Sequence, residues 1–154
     1  MSASNPFDQF DLNGSTALIT GASKGIGKSI ARSLGQQGAH VIISSRNQET
    51  LDQVKQEFID QGIDCTAIAA KIGDPLSMQD LMEASLKQQG GVHILVNNAA
   101  ANPSFGPLLK TDQAVFDKIL EVNLKGPLEL AKMCYPGMKE AGWGSVINIS
   151  SVGG

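Results

Sequence analysis

The feature that most constrains the fold is a glycine-rich turn between an apolar run and a helical pattern. Residues 16–19 read TALI, and the eight residues from Thr20 to Gly27 that follow read TGASKGIG. The apolar run is typical of a buried strand, and the glycines after it predict a tight turn from strand to helix. The first N–H groups of that helix would face an anion, so the segment predicts the phosphate-binding loop of a dinucleotide-binding fold.

Each glycine of this loop has an expected role. Gly21 lets the chain turn off the strand, Gly25 keeps bulk away from a pyrophosphate, and Gly27 lets the helix lie close to the sheet. The spacing Gly-x-x-x-Gly-x-Gly differs from the commoner Gly-x-Gly-x-x-Gly, so the loop alone is a weak indicator. The loop residues expected to contact the cofactor are Gly21, Ser23, Lys24, Gly25, Ile26 and Gly27.

Short β-rich runs alternate with amphipathic helical patterns along the rest of the chain. Strands are predicted at residues 16–20, 39–45, 65–70, 92–97 and 144–150, apolar on both sides. A long helical region is predicted from about Thr111 to Ala141, with an interruption near Asn123 to Pro127. The three earlier helices are expected to bury Ile26, Ile30 and Leu34; Leu51, Val54, Phe58 and Ile59; and Met78, Leu81, Met82 and Leu86.

This alternation predicts an α/β fold, a Rossmann-type doubly wound parallel sheet truncated after its fifth strand. One dinucleotide-binding domain is expected over residues 12–154, preceded by a loosely held arm at residues 1–11.

Composition and charge exclude several classes of protein. The 154 residues are 42% hydrophobic and 18% charged, which fits one globular domain. A net charge of -3 gives no support for a nucleic-acid or anionic-membrane partner. No signal-like start or long apolar run is present, so a cytoplasmic location is expected. Cys65 and Cys134 predict buried free thiols, and no metal-binding spacing occurs.

A P-loop NTPase is a remote alternative. Ala22-x-x-x-x-Gly27-Lys28-Ser29 matches a loose form of its phosphate-binding motif. Such an enzyme also needs an acidic residue at the end of an apolar strand to hold magnesium. None of the predicted strands ends in an acidic residue, and three of them end in Ser or Asn, at Ser45, Asn97 and Ser150, which disfavours this alternative.

Four segments in order resemble the short-chain dehydrogenase/reductase family over roughly residues 12–154. They are Thr20 to Gly27, Asn97-Asn98-Ala99-Ala100 at a strand end, Val122-Asn123-Leu124, and Asn148 to Gly154. The family commonly has Gly where Ala100 stands. The resemblance implies a Rossmann sheet, a nicotinamide cofactor, and hydride transfer between an alcohol and a ketone.

The resemblance also implies roles for single residues. Asn98 and Ala99 would contact the cofactor, and Asn97 would hold neighbouring strands. Asn123 would kink a helix and hold a water in a proton relay, and Ser151 would donate a hydrogen bond to the substrate oxygen. Two alternatives stay open: the strand-end amides satisfy loop backbone, and Asn123 only marks a helix interruption.

Charge at the ends of the second and third strands predicts NADP rather than NAD. An NAD enzyme of this kind carries an acidic residue where this chain has Ser45, and Arg46 follows. Arg46 and Lys24 are expected to meet a 2′-phosphate, unless both are simply solvated cations. Lys71-Ile72 stands where the family commonly has an Asp that touches the adenine amine. Lys71 cannot accept that hydrogen bond, so adenine is expected to be held weakly or by the backbone.

The family's Tyr-x-x-x-Lys pair, in which Lys lowers the pKa of the proton-donating Tyr, is implied to follow Ser151. Tyr135 and Lys139 match that spacing but precede Ser151, and Pro136-Gly137 is expected to break the helix between them. Tyr135 is therefore expected to pack at a helix end.

The sequence predicts an incomplete NADP(H)-dependent oxidoreductase that is inactive as a 154-residue chain. The complete protein would act on a small carbonyl or alcohol substrate and form a homodimer or homotetramer through the helical region. The alternative is a noncatalytic nucleotide-binding or interaction module.

Overall fold

A computed structural model of the chain describes residues 10–88, 91–103 and 106–151. Most of the predicted N-terminal arm, residues 1–9, lies outside the described residues. The elements are β1 (Thr16–Thr20), α1 (Gly25–Gln36), β2 (His40–Ser45), α2 (Gln48–Asp60), β3 (Cys65–Ala69), α3 (Pro75–Leu86), β4 (Ile94–Asn97), a 3-10 turn (Leu108–Lys110), α4 (Gln113–Leu120), a π-helical turn (Glu121–Lys125), α5 (Gly126–Glu140) and β5 (Ser145–Asn148).

The five strands form one parallel sheet in the order β3-β2-β1-β4-β5, which confirms the predicted sheet. Thr20 and Asn97 end β1 and β4, and Ser45 ends β2, so all three lie along one edge. The strand order turns back at β1, where β2 lies on one side and β4 on the other. The crevice at the carboxyl ends of these strands is where open α/β sheets bind ligands.

Helices cover both faces of the sheet because neighbouring residues of a strand point to opposite sides. Ile19 belongs to the core between the sheet and helices α1 and α2, where Phe58 is also fully buried. Leu18 belongs to the opposite core, which it shares with Leu81 of α3 and Leu130 of α5. Two separate cores on one sheet confirm the doubly wound architecture.

The helix α1 differs from its neighbours in how it begins. The side chain of Asn47 accepts a hydrogen bond from Thr50 N–H at the start of α2, and Asp74 caps α3 in the same way. At α1 the capping position is Lys24, which makes no side-chain cap, and the first turn contains no acidic residue. The first N–H groups of α1 are therefore not satisfied by a local acceptor side chain.

Three predicted core positions are wrong. Ile59 and Leu86 are exposed on α2 and α3, and Ile26 is 63% exposed. The buried stripe of α1 consists of Gly27, Ala31 and Gly35 instead. Small residues on this stripe let α1 approach the sheet closely, so Ile26 turns away from the core.

The helical region does not break at either expected place. The path runs from α4 through the π-helical turn into α5, so Asn123 lies in a change of hydrogen-bonding pattern rather than in an interruption. Pro136 lies inside α5, which continues to Glu140. Proline leaves the carbonyl of Lys132 without its helical donor. Both residues are exposed, so this carbonyl does not need a partner inside the protein core.

Strand β5 is the exception to the prediction that every strand is apolar and buried on both sides. Val146, Ile147 and Ile149 are exposed, because β5 is an edge strand that pairs only with β4 among the described residues. Just before β5, the ring of Trp143 stacks on His93 with centroids 5.3 Å apart. His93 Nδ1 accepts a hydrogen bond from Thr16 N–H at 3.1 Å.

In the part of the chain that the structure describes, no helix is long and apolar enough to cross a membrane.

Candidate functional site

A first cleft of about 790 Å³ opens at the carboxyl ends of the strands. Its walls come from the loops after β1, β2, β3 and β4 and from the π-helical turn region. Every cofactor residue predicted from the sequence lines it except Gly27, which is buried beneath the loop. The lining residues are Gly21, Ser23, Lys24, Gly25, Ile26, Ser45, Arg46, Asn47, Thr50, Ala70, Lys71, Ile72, Asn98, Ala99, Ala100, Ala101, Lys118 and Val122.

The glycine-rich loop is shaped by close backbone contacts. Gly21 has φ +67°, and a Cβ built there would lie 2.9 Å from the Cα of Ala99. A Cβ at Gly27 would lie 2.5 Å from both Gly21 O and Asn98 Nδ2, so no larger residue fits where α1 crosses the loop. Gly25 has φ +58° and an open side, because a Cβ there would meet nothing within 4 Å. The loop is thus tight against the sheet and open toward the cleft at Gly25.

Asn98 braces this loop. Its Nδ2 donates to Thr20 O at 3.0 Å and to Gly21 O at 3.1 Å. Thr20 Oγ1 accepts from the N–H groups of Asn98 and Ala99, both at 3.0 Å, and lies 3.3 Å from Val96 O, to which it donates. The contacts of the Asn98 side chain agree with the alternative in which a strand-end amide satisfies loop backbone, although Asn98 also lines the cleft.

The polar rim of the first cleft is cationic. Lys24, Arg46 and Lys71 line it, and none of them forms an ion pair within residues 10–88, 91–103 and 106–151. Lys118 also lines the cleft, and its Nζ lies 3.4 Å from Glu121 Oε2. The described lining contains no Asp or Glu. In a chain with a net charge of -3, this local excess of positive charge favours an anionic ligand.

Seven lining residues are not among the cofactor contacts predicted from the sequence, and two of these, Lys118 and Val122, come from the helical region. Lys118 lies on α4, and Val122 follows four residues later in the π-helical turn. This i, i+4 spacing brings the two side chains to the same wall of the cleft. The spacing indicates that the two residues share one face of the helical region, but only the fold shows that this face lines the first cleft.

The backbone at Lys71 is already engaged. Its N–H donates to Ser77 Oγ at 2.8 Å, and its carbonyl accepts from Asp74 N–H at 3.1 Å. The expected recognition of a ligand by the backbone therefore cannot use the Lys71 N–H.

A second cleft of about 950 Å³ adjoins the first, and Ile26 and the segment 98–101 line both. Its polar residues include Asn123, Ser150 and Ser151, so both predicted catalytic residues lie on the same cleft. Its apolar wall comes from α4, the π-helical turn, α5, β5 and the residue that follows β5: Ile119, Leu124, Pro127, Leu128, Ala131, Val146 and Ile149. The last three residues of the Asn148 to Gly154 segment lie outside the described residues.

The amides beside the second cleft are held in place by each other and by backbone. Asn123 Oδ1 accepts from Ala101 N–H at 2.8 Å, and Asn123 Nδ2 donates to Ala101 O at 2.9 Å. Asn97 Nδ2 donates to Asn148 Oδ1 at 2.9 Å, which links β4 to β5 as expected for Asn97. The Asn123 side chain thus fixes the segment after β4 onto the π-helical turn.

Several other candidates do not join these clefts. Tyr135 and Lys139 line neither of them, and Tyr135 is 61% exposed rather than packed at a helix end. Lys28 Nζ pairs with Glu57 Oε2 on α2 at 2.5 Å and does not line the first cleft, which argues against a P-loop.

Burial raises the pKa of both Cys65 and Cys134 to about 12, so neither thiol is a nucleophile at neutral pH. Within the described ranges, no group of three His, Cys, Asp or Glu is placed to hold a metal.

A profile of the short chain dehydrogenase family matches residues 15–154, nearly the whole chain. The chain belongs to the short-chain dehydrogenase family. Among curated relatives, "Dehydrogenase/reductase SDR family member 4" from Sus scrofa is 41% identical over 142 residues, which are 92% of this chain and 51% of the relative. This short-chain dehydrogenase chain therefore spans about half the length of the curated relatives it matches.

Two solved structures show the same fold. A metagenomic short-chain oxidoreductase in complex with NADP is 37% identical with a TM-score of 0.88, over 92% of this chain and 64% of that one. A 3-oxoacyl-(acyl-carrier-protein) reductase from Agrobacterium tumefaciens with NADP bound is 31% identical with a TM-score of 0.90, over 99% and 58%. The short-chain dehydrogenase chain thus has structural neighbours that bind NADP.

Proposed function

We propose that the first cleft binds NADP(H) and that the protein carrying this chain interconverts an alcohol and a ketone by hydride transfer. The observation that carries the proposal is the charge of the cleft. Ser45 stands at the end of β2, no carboxylate lines the described wall, and Lys24 and Arg46 lie on that wall without ion-pair partners there. A 2′-phosphate is attracted to such a rim, whereas the acid typical of NAD enzymes would repel it.

The glycine-rich loop fits a pyrophosphate. The open side of Gly25 leaves room for an approaching phosphate, and the uncapped start of α1 offers N–H donors and the positive end of the helix dipole. Ser23 and Ile26 line the same wall. Asn98 and Ala99 hold the loop in this shape through Thr20. Ile72 and Val122 supply apolar surface for the base.

The second cleft is proposed to hold the substrate. Ser151 would donate a hydrogen bond to the carbonyl oxygen and stabilise charge that develops on it. Asn123 would position the segment after β4 through its two bonds to Ala101, and a water relay through Asn123 remains part of the proposal. The nicotinamide, when bound, supplies or accepts the hydride. The apolar walls of this cleft favour a substrate with a hydrophobic body.

The test of cofactor choice is Arg46→Asp in the full-length protein that carries this chain. A charge-assisted contact is worth about 1.5 to 3 kcal/mol, so the ratio of NADPH to NADH affinity should fall by roughly tenfold or more. Both affinities are measured by nicotinamide fluorescence titration. Lys87→Asp makes the same change of charge at an exposed position away from the cleft and should leave the ratio unchanged. Tighter binding of NADH by the unmodified protein would refute the proposal.

A noncatalytic nucleotide-binding module is the second candidate for the 154-residue chain itself. It is favoured by one observation: Tyr135 and Lys139, the only Tyr-x-x-x-Lys pair in the sequence, line neither cleft. We propose that this chain alone retains the surfaces for nucleotide binding and lacks the proton donor.

A further inference from the structure

The base of a dinucleotide would lie at the β3 side of the first cleft. The phosphate loop follows β1, Ser45 ends the neighbouring β2, and β3 is next in the sheet. A ligand that starts at the loop and crosses the carboxyl ends of the strands in this direction meets Lys71 and Ile72 last. The groups around these two residues therefore decide which base fits. This placement rests on the proposed function.

The faces of the base would meet a rigid apolar wall. Ile72 and Val122 both line the cleft, and they are only 8% and 7% exposed. A Cβ built at Gly126 would lie 2.6 Å from Ile72 Cγ2, so the loop after β3 is packed closely against the π-helical turn region. A planar ring fits such a surface, but the surface does not distinguish one purine from another.

The edge of the base would meet donors rather than acceptors. The charged side chains on this part of the wall are Arg46, Lys71 and Lys118, which can only donate hydrogen bonds. Asn47 Oδ1 already accepts from Thr50 N–H at 2.8 Å and from Thr50 Oγ1 at 3.0 Å. An exocyclic amine needs an acceptor, and a carbonyl needs a donor.

We propose that Lys71 makes this end of the cleft selective for a carbonyl at C6 of the purine rather than an amine. A dinucleotide with hypoxanthine in place of adenine should then bind at least as tightly as the adenine form. Lys71 suits this role because it is exposed on the cleft wall, forms no ion pair with any described residue, and carries three donors and no acceptor. It is a specificity-determining residue and takes no part in hydride transfer.

The test compares NADP+ with nicotinamide hypoxanthine dinucleotide phosphate by calorimetry on the full-length protein. The two probes share the 2′-phosphate, so their affinity ratio is independent of it. They differ in the base, where hypoxanthine has a carbonyl at C6 and a proton on N1 and adenine has an amine at C6 and an unprotonated N1. The unmodified protein should bind the hypoxanthine form with equal or lower Kd. In Lys71→Asp, which supplies an acceptor, the ratio should shift by about tenfold or more toward adenine. Lys71→Met keeps the length without the donor and should fall between them.

A preference of tenfold or more for adenine in the unmodified protein, unchanged in Lys71→Met, overturns the inference. Because Lys71 is exposed, both variants should keep the melting temperature of the parent, and Lys71→Met alone decides the question if Lys71→Asp unfolds. Failure of both dinucleotides to bind refutes the proposed function and this inference with it. Tighter binding of NAD than of NADP, with the base ratio as expected, refutes only the choice of phosphate.

Discussion

Gly27 shows how much of the candidate site depends on one absent Cβ. The residue is buried where α1 leaves the loop, and its backbone lies against Gly21 O and Asn98 Nδ2. Asn98 in turn holds Thr20 and Gly21. A side chain at position 27 would separate three segments that together shape the phosphate loop.

We predict that Gly27→Ala lowers the free energy of unfolding by about 1 to 3 kcal/mol, because the added methyl group overpacks a closed contact. NADPH affinity should fall with it, since the loop can no longer close on Asn98. Urea denaturation and cofactor titration measure the two effects.

Gly137→Ala is the matched control for that substitution. Gly137 lies inside α5, and a Cβ there would meet nothing within 4 Å. Alanine at an open helical position should stabilise the protein by about 0.5 to 1 kcal/mol. Equal stability of Gly27→Ala and the parent would contradict the packing argument.

At this scale the sequence could predict which residues gather at the cleft better than what each side chain contacts. Lys24, Arg46 and Lys71 follow strand or loop ends, and parallel strands bring such ends to one edge, so their gathering was predictable. The place of Ile26 at the cleft was predicted as well, but its exposure was not, because helical periodicity cannot show that the small residues Gly27, Ala31 and Gly35 form the buried stripe of α1.

At the scale of elements, the π-helical turn and α5 carry an apolar surface without a cover among the described residues. Leu124 and Leu128, which also line the second cleft, are exposed, and so is Tyr135, about two helical turns after Leu128. A monomeric domain gains nothing from large apolar side chains in water, and such surfaces often mark interfaces. We propose that these residues form the contact of a homodimer or homotetramer.

We predict that Leu128→Asp in the full-length protein lowers the oligomeric state, because a carboxylate would be buried against the apolar surface of the second subunit. Light scattering at micromolar concentration measures the change. Leu76→Asp places the same charge on α3, at a leucine that is also exposed, and should leave the mass unchanged. A monomeric parent protein would rule the proposal out.

The same region shows why the elements were only partly predictable. Proline and glycine are reliable breakers where the freed backbone groups are buried, which led to the expected break at Pro136. The break does not occur because Pro136 and Lys132 face outward. Tertiary packing decides which side of a helix faces solvent. The rule that proline breaks a helix could therefore be applied from the sequence, but the exposure of Pro136 could not be foreseen.

At the scale of the whole molecule, the sheet was predictable because the spacing of apolar residues distinguishes strands from helices along the chain. Strands that alternate with helices are typical of a parallel sheet. The exposure of β5 was not predictable from the strand alone, since Val146, Ile147 and Ile149 read as buried. Burial depends on neighbours, and β5 has only one strand beside it within the described residues.

We predict that the 154-residue chain does not catalyse hydride transfer, whereas a version extended through a downstream Tyr-x-x-x-Lys does. General acid catalysis contributes about 10² to 10⁴ in rate, and neither Tyr135 nor Lys139 lies on a cleft to provide it. Nicotinamide absorbance is followed with a panel of ketones and alcohols for both proteins.

Tyr135→Phe is the decisive control for that comparison. It should change nothing in either protein. Turnover by the 154-residue chain that disappears in Tyr135→Phe would show that this exposed tyrosine is the proton donor after all.

The stacked pair His93 and Trp143 has a practical consequence. Trp143 is the only tryptophan of the chain. It lies just before β5, and His93, on which it stacks, lies just before β4. The fluorescence of Trp143 should therefore report whether the edge strand β5 is paired with β4. The pair lies at the amino ends of these strands and both clefts at the carboxyl ends, so fraying of the edge can be followed without a label while the clefts are filled.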